Sequence, residues 1–171
     1  MSILDSALEV LDRLSPPRVV QAHCDIPCGI YDPHAAQIAA LTCIRMIQLM
    51  QALPKPDNGA SKEQWDTYAM QMARYTAVKE EHAALCEHEL TVIWTDYFKP
   101  EHVEKHPKLP ELYWKTAKLT SQVKQTNDMN AAQQLLAGVQ EFAEIFWDTK
   151  GVKTRRGPSN QTVGGELVYV A

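Results

Sequence analysis

The chain has 171 residues, 45% hydrophobic and 22% charged, a composition typical of one globular domain with a buried core. Its formal net charge is -4 and no basic stretch dominates, which argues against nucleic-acid binding. No apolar run approaches the roughly 20 residues that cross a bilayer, so the sequence also argues against a membrane protein.

The first 22 residues are predicted to be a cleavable leader. Apolar residues recur at three- and four-residue spacing over residues 2–14, which indicates an amphipathic helix that ends at Pro16 and Pro17. Acidic residues interrupt the apolar positions and no basic residue precedes them, unlike a secretory signal. Residues 20–22 nevertheless resemble a small-residue cleavage site, so export remains an alternative. We expect a cytoplasmic protein whose leader is removed by a dedicated protease.

A group of metal-binding side chains follows in residues 23–31, HCDIPCGIY, here called the hook. If the chain were cut before His23, the hook would carry a free α-amine, an imidazole and two thiolates. The amine and the deprotonated amide of Cys24 would supply two nitrogens, and Cys24 and Cys28 two sulfurs. Four donors in a plane suit Ni(II) or Cu(II), whereas zinc prefers a tetrahedron. The imidazole of His23 would reach an axial position.

Three further hook residues fit this arrangement. Pro27 would help the chain fold back so that both sulfurs reach one metal, and Gly29 lets the backbone turn away without a Cβ clash. Tyr31 lies near enough in sequence to place a phenol over the open face of the metal. A weak zinc site or a chance cysteine pair is the alternative, but the combination of residues favours a redox-active metal.

Four amphipathic helices with short connections are predicted beyond the hook, which favours an all-α, antiparallel four-helix bundle. Asp32 and Pro33 are the predicted start of the first helix, and Ser61 with Gln64 forms a plausible capping box for the second. Cys43 and Cys86 fall inside these patterns, and we expect them to be buried apolar residues, with a disulfide or metal role as the alternative. The helices cover about residues 33–53, 61–98, 109–126 and 129–149.

The last segment, residues 151–171, begins with basic residues and ends with the apolar residues 167–170. We expect a flexible, disordered tail and no strand before residue 160. A docking strand or a partner-binding motif remains the alternative.

The hook and Asp32-Pro33 together resemble the nickel hook of nickel-containing superoxide dismutases. Residues 94–100, WTDYFKP, and residues 146–150, FWDTK, resemble two further motifs of that family, so the likeness spans about residues 23–150. The resemblance implies a four-helix bundle with an N-terminal metal hook, a homohexamer and a propeptide removed to expose His23. It also implies antioxidant chemistry with a nickel ion: superoxide is disproportionated to oxygen and hydrogen peroxide as nickel alternates between Ni(II) and Ni(III).

Carried over to this chain, the resemblance implies that His23 supplies the amine and the axial imidazole. Cys24 would supply an amide nitrogen and a thiolate, and Cys28 the second thiolate. Asp25 would tie the hook to the bundle, with Pro27 supporting the turn.

The same resemblance implies a pocket beside the metal. Tyr31 would screen the open face of the metal, and Tyr97 would be a second pocket tyrosine. Lys99 would attract the superoxide anion, although a solvated lysine is an equally good interpretation.

Two positions depart from the family pattern. Many members hold the axial imidazole with a glutamate and an arginine, whereas this chain has Ala39 and His82 at the aligned positions. His82 is interpreted either as a support of the ligand or as a core histidine. A nickel-binding or thiol-redox protein without dismutase turnover is therefore the alternative function. A helical oligomerisation module with an idle cysteine pair is a third.

Overall fold

The computed structural model describes residues 28–171. The predicted leader and hook residues 23–27 lie outside the described residues. Within the described part, five helices are followed by a β-hairpin, and a π-helical turn, Ile93–Tyr97, extends the second helix. The helices are α1 (His34–Ala52), α2 (Lys62–Val92), α3 (Pro100–Lys105), α4 (Leu109–Gln125) and α5 (Met129–Thr149), and the strands are β1 (Thr154–Pro158) and β2 (Glu166–Val170).

The four long helices form the predicted four-helix bundle. Helix α1 packs against α2 and α5, and α4 packs against the same two helices. The core lies between them, and full burial of each large apolar side chain contributes about 1.5–3 kcal/mol. None of the helices in residues 28–171 is long and apolar enough to cross a membrane. The largest buried apolar side chains include Ile47, Leu90, Ile93, Leu135, Phe142 and Phe146.

The helix starts follow the sequence closely. The capping box of α2 is confirmed, since the Gln64 amide donates to Ser61 Oγ at 3.2 Å and the Ser61 amide donates to Gln64 Oε1 at 2.8 Å. Helix α1 begins one residue later than predicted, at His34, whose amide donates to Asp32 Oδ1 at 2.8 Å. Helix α3 was not predicted, because its six residues are too few to show a hydrophobic period.

The first half of α2 is more exposed than the sequence pattern predicts. Trp65 begins the apolar stripe that recurs at three- and four-residue spacing along α2, yet it is 36% exposed, whereas Lys79 is only 2% exposed. Lys79 already contacts Thr126 and Asn127 just beyond the end of α4, so the earlier residues of α2 extend past that helix. They pack only against one side of the bundle, which leaves the apolar stripe incompletely covered.

Lys79 binds acceptor groups at the C-terminal end of α4. Its ammonium donates hydrogen bonds to the carbonyl of Lys124 (3.2 Å), to the carbonyl of Thr126 and to Asn127 Oδ1 (3.2 Å). The last carbonyls of a helix lack amide partners and carry partial negative charge, so a cation is favoured there. Burial lowers the pKa of Lys79 below its ordinary value of 10.5.

The C-terminal segment differs from the expected flexible tail. Strands β1 and β2 pair antiparallel, from Thr154 opposite Val170 to Pro158 opposite Glu166, so a strand does precede residue 160. Leu167 and Val168 are each 2% exposed. The sequence indicated no packing partner for these apolar residues. In the structure they are buried against the bundle, and this burial holds the segment in place.

Polar side chains on α1 and α5 hold this hairpin in place. Gln140 Nε2 donates to the carbonyl of Glu166 at 2.7 Å, and the guanidinium of Arg156 forms two hydrogen bonds with the Glu144 carboxylate, at 2.7 and 2.9 Å. Gln37, in the first turns of α1, bonds the backbone of Val168. The hairpin thus connects the start of α1 to α5.

Candidate metal centre

Cys28 is the predicted metal ligand that falls within the described residues. It is exposed, and Gly29 turns the chain with a φ of +73°. The Ile30 amide donates to Cys28 Sγ at 3.4 Å. A hydrogen bond to sulfur stabilises the charged form of a cysteine, and the thiolate is the form that binds metals. The Cys28 sulfur is thus exposed and accepts an amide hydrogen bond, as a metal-binding thiolate can, and as a thiol it lies 3.7 Å from the Ile30 carbonyl.

Tyr31 and Tyr97 are brought together although they lie far apart in sequence. Their ring centroids are 5.8 Å apart and the rings are tilted by 54°. Tyr31 is 9% exposed and belongs to the hydrophobic core that α1, α2 and α5 share. The structure thus joins the end of the hook, at Tyr31, to the second family-like motif, at Tyr97.

A π-helical turn presents Tyr97 to its neighbours. The amide of Phe98 donates to the carbonyl of Ile93 at 3.1 Å, five residues back, where an α-helix would bond four residues back. The Tyr97 ring stacks on His102 with centroids 5.3 Å apart and planes within 16°. It also contacts Phe146, at 4.7 Å between centroids. The ring is therefore fixed from α3 and α5 as well as from Tyr31.

The end of α5 provides the polar contacts of Tyr97. The Tyr97 hydroxyl lies 2.8 Å from Thr149 Oγ1. Lys150 Nζ lies 5.2 Å from the centroid of the Tyr97 ring and 4.7 Å from that of Phe146, which are cation–π distances. A positive charge thus accompanies the tyrosine pair.

A nickel ion bound by Cys28 would need further donors. Within residues 28–171, no group of three or more His, Cys, Asp or Glu side chains could hold a metal ion. A metal bound by Cys28 would take its other ligands from before residue 28, where the predicted ligands His23 and Cys24 lie together with Asp25 and Pro27. An exposed thiol that accepts an amide hydrogen bond, next to a tyrosine, is the donor chemistry a hook requires, so the residues fit.

The buried cysteines have a different character. Cys43 and Cys86 are fully buried, as predicted. Burial raises the pKa of the Cys43 thiol to about 12, and it raises the pKa of Cys86 as well. Cys43 Sγ donates to the carbonyl of Lys79 at 3.5 Å. Both thiols stay protonated at neutral pH, so neither resembles Cys28 chemically.

The two positions that depart from the family pattern lie on α1 and α2. Ala39 is fully buried, and His82 is half-buried. His82 Nδ1 lies 2.9 Å from the carbonyl of Val78, one turn earlier in its own helix. This contact occupies Nδ1 of the ring. A role for His82 in holding the axial imidazole of His23 stays a prediction.

Sequence reasoning assigned no role to two side chains that contact Tyr97. Thr149 belongs to the FWDTK motif and His102 follows the WTDYFKP motif, yet neither has a spacing that indicates chemistry. Their proximity to Tyr97 depends on the π-helical turn and on the short helix α3. The signal that the sequence offered for these two residues was their place within or next to a family-like motif.

Known proteins support the relationship that these motifs indicate. A family model described as nickel-containing superoxide dismutase matches residues 18–150. The superoxide dismutase (Ni) of Streptomyces coelicolor is 38% identical over 142 residues, which are 82% of this chain and 98% of that protein. The superoxide dismutase (Ni) of Streptomyces seoulensis is 39% identical over 142 residues, which are again 82% of this chain and 98% of that protein.

Solved structures agree with the sequence relatives. A native structure of nickel superoxide dismutase matches with a TM-score of 0.64 and 36% identity, over 75% of this chain and 99% of that chain. An apo structure of nickel superoxide dismutase matches with a TM-score of 0.62 and 33% identity, over 72% of this chain and 99% of that chain. The chain therefore belongs to the nickel-containing superoxide dismutase family, as an oxidoreductase with a nickel cofactor that acts on superoxide.

Proposed function

We propose that the encoded chain is a precursor, and that cleavage before His23 produces the active superoxide dismutase. In each full turnover, two superoxide anions and two protons give one molecule of oxygen and one of hydrogen peroxide. One superoxide loses an electron to become oxygen, and the other gains that electron. The protons end on the peroxide.

The contact between Tyr31 and Tyr97 is the observation that best supports this function. It unites the hook segment and the second family-like motif at one end of the bundle, 5.8 Å apart between ring centroids. Tyr31 follows Cys28 by three residues, so the tyrosine pair lies close along the chain to a predicted metal ligand.

We propose that His23, Cys24 and Cys28 hold the nickel ion. Nickel bound by an amine, an amide and two thiolates would supply one-electron chemistry by alternating between Ni(II) and Ni(III). The protein's part is to shape the access to these donors. Tyr31 and Tyr97 would restrict it to small molecules, while Lys99 and Lys150 would draw the anion toward it.

We further propose a homohexamer, processed by a dedicated protease in the cytoplasm. Ile30, two residues after Cys28, is 79% exposed, and contact with a neighbouring protomer would remove this apolar side chain from water. The acidic residues of the leader favour cytoplasmic processing over export. The mass of the purified protein in solution tests the hexamer directly, and a monomer at working concentration would contradict it.

Three versions of the chain test the precursor hypothesis, starting at Met1, at Ala22 and at His23. The version that starts at Ala22 is the matched control, because it has every hook side chain but moves the free amine by one residue. Each version would be loaded with nickel, and its metal content, N-terminal residue and dismutase rate measured. We expect bound nickel in a one-to-one ratio and rapid dismutation only for the chain that starts at His23.

The outcome distinguishes the main hypothesis from its alternative. A His23-started chain that takes up nickel yet does not dismute superoxide would contradict the proposal. The non-dismutase alternative is motivated by Ala39 and His82, and the double variant A39E/H82R tests it. A large gain in rate would favour that alternative, while an unchanged high rate would exclude it. Because Ala39 is fully buried, a thermal melt should accompany the rate.

A further inference from the structure

The hydroxyl of Thr149 makes two hydrogen bonds, and their directions can be worked out. Thr149 Oγ1 lies 2.7 Å from the carbonyl of Phe146 and 2.8 Å from the Tyr97 hydroxyl. A carbonyl only accepts hydrogen bonds, and a threonine hydroxyl has one proton. Since that proton goes to Phe146, the bond between Thr149 and Tyr97 must use the proton of Tyr97.

The end of α5 explains why the Phe146 carbonyl needs this proton. In a continuing α-helix the amide of Lys150 would bond the carbonyl of Phe146, four residues earlier. Here the Lys150 amide bonds the carbonyl of Trp147 instead, at 3.1 Å, because the last turn tightens. The Thr149 hydroxyl donates to the Phe146 carbonyl in place of that amide. The single proton of Thr149 is therefore used in this bond.

We infer that Thr149 is a positioning residue that orients the Tyr97 hydroxyl, so that Tyr97 accepts a hydrogen bond from a proton donor at the site and does not donate one to superoxide. Among the described residues, Thr149 is the hydrogen-bond partner of the Tyr97 hydroxyl. With its single proton committed, the phenol oxygen offers only lone pairs. The inference rests on the proposed function for its catalytic meaning, but the hydrogen-bond direction stands independently of it.

This direction has a chemical consequence for the reaction. Superoxide is an anion without a proton, so it cannot donate to Tyr97. A proton-bearing oxygen species can, and the reaction consumes two protons per turnover. Tyr97 would therefore hold a proton donor in place, while attraction of the anion is left to positive charges such as Lys150, 5.2 Å from the Tyr97 ring centroid.

The first test measures the direction of the hydrogen bond in the full-length chain, without nickel. The intensity ratio of the tyrosine Fermi doublet in the Raman spectrum reports whether a phenol donates or accepts. Subtracting the spectrum of Y97F isolates the signal of Tyr97, and the same subtraction with Y97F/T149V isolates it in the T149V background. We expect a donating phenol in the wild type, loss of that signature in T149V, and its return in T149S.

The matched control is Thr120→Val. Thr120 Oγ1 donates to the carbonyl of Ala117 at 2.7 Å, the same three-residue bond within a helix, at a fully buried position of α4. T120V thus removes an equivalent bond and leaves Tyr97 alone, and its Tyr97 signal should not change. A wild-type spectrum in which Tyr97 does not donate would overturn the inference, and that measurement needs no variant at position 149.

The second test uses the nickel-loaded chain that starts at His23. We expect T149V to lower kcat/KM by about three- to tenfold, the range that loss of one neutral hydrogen bond gives, with T149S close to wild type. Y97F/T149V should be no slower than Y97F, because both changes remove the same bond. Additive effects would contradict the inference. If the loaded chain were inactive, the proposed function would fail, while the Raman result would still decide the hydrogen-bond direction.

Discussion

The side-chain amide of Gln37 pairs with both backbone polar groups of Val168. Gln37 Oε1 accepts from the Val168 amide at 2.7 Å, and Gln37 Nε2 donates to the Val168 carbonyl at 3.3 Å. Gln37 is 1% exposed, so both bonds are shielded from water. One side chain of α1 therefore does for β2 what a neighbouring strand would do.

Replacing Gln37 with leucine should destabilise the protein by about 1–3 kcal/mol, because the Val168 amide is left buried without its partner. Urea unfolding of the full-length chain measures this. Gln48→Leu is the control, since Gln48 makes a single bond to the hairpin, to the Val163 carbonyl at 3.3 Å. Equal losses of unfolding free energy for the two variants would show that the two bonds to Val168 stabilise the protein no more than the single bond to Val163.

Lys79→Met should also destabilise the fold, by about 1–3 kcal/mol at neutral pH, because three acceptors at and just beyond the end of α4 lose their hydrogen-bond donor. Lys124→Met is the control. Lys124 forms a half-exposed ion pair with Glu87 at 2.9 Å, whose loss should cost about 1 kcal/mol or less. A larger loss for Lys124→Met than for Lys79→Met would contradict this interpretation.

The stability that Lys79 contributes should depend on pH. Its pKa in the folded state is lowered by burial, so between that value and 10.5 the unfolded chain binds more protons than the folded one. Stability rises with pH in such a window. The stability difference between wild type and K79M should therefore increase as the pH rises toward 10.5, and a decrease in urea titrations would contradict the lowered pKa.

Cys43 and Cys86 should resist alkylation in the native protein, while Cys28 reacts. Burial raises the pKa of the Cys43 thiol to about 12, so little thiolate is present at neutral pH, and the side chain is inaccessible. Brief treatment of the nickel-free full-length chain with iodoacetamide, followed by peptide mass analysis, tests this. Labelling of all four cysteines of the chain in urea is the control, and native labelling of Cys43 as fast as Cys28 would contradict the prediction.

Lys99→Gln should lower kcat/KM of the nickel-loaded chain that starts at His23 by about two- to threefold at low ionic strength, with the difference disappearing in high salt. Lys99 is exposed and lies two residues from Tyr97. Lys62→Gln is the control, because it makes the same charge change at the far end of α2. If both variants lost the same rate, net charge and not the position of Lys99 would explain the effect.

The bundle could be predicted from sequence because its signals are local. The start of α2 at Ser61 needs only residues three apart, and the bounds of α4 and α5 follow from turn residues beside a helical period. The hairpin could not be predicted in this way. Its apolar strand β2 became ordered through Gln37, which is 131 residues from Val168 along the chain, and no sequence spacing indicates such a pairing.

The site was predictable in its residue types but not in its contacts. Tyr31 and Tyr97 were both named from the family-like motifs, and the structure brings their rings together. Thr149 lies in the FWDTK motif, but its role had no sequence signal, because that role depends on the Phe146 carbonyl needing a donor at a tightened helix end. Such a dependence is a property of the folded backbone.

Because of the π-helical turn, two side chains that would otherwise lie on one face of the helix point in different directions. In an uninterrupted α-helix, Leu90 and Tyr97 would point the same way, since residues seven apart share a face. The wider turn shifts the angular phase after Val92, so Leu90 fills the core while Tyr97 turns toward Tyr31 and Thr149. The π-helical turn therefore acts as a one-residue insertion, and deleting one residue within it should restore α-helical hydrogen bonding while leaving the phenol in nearly its present direction.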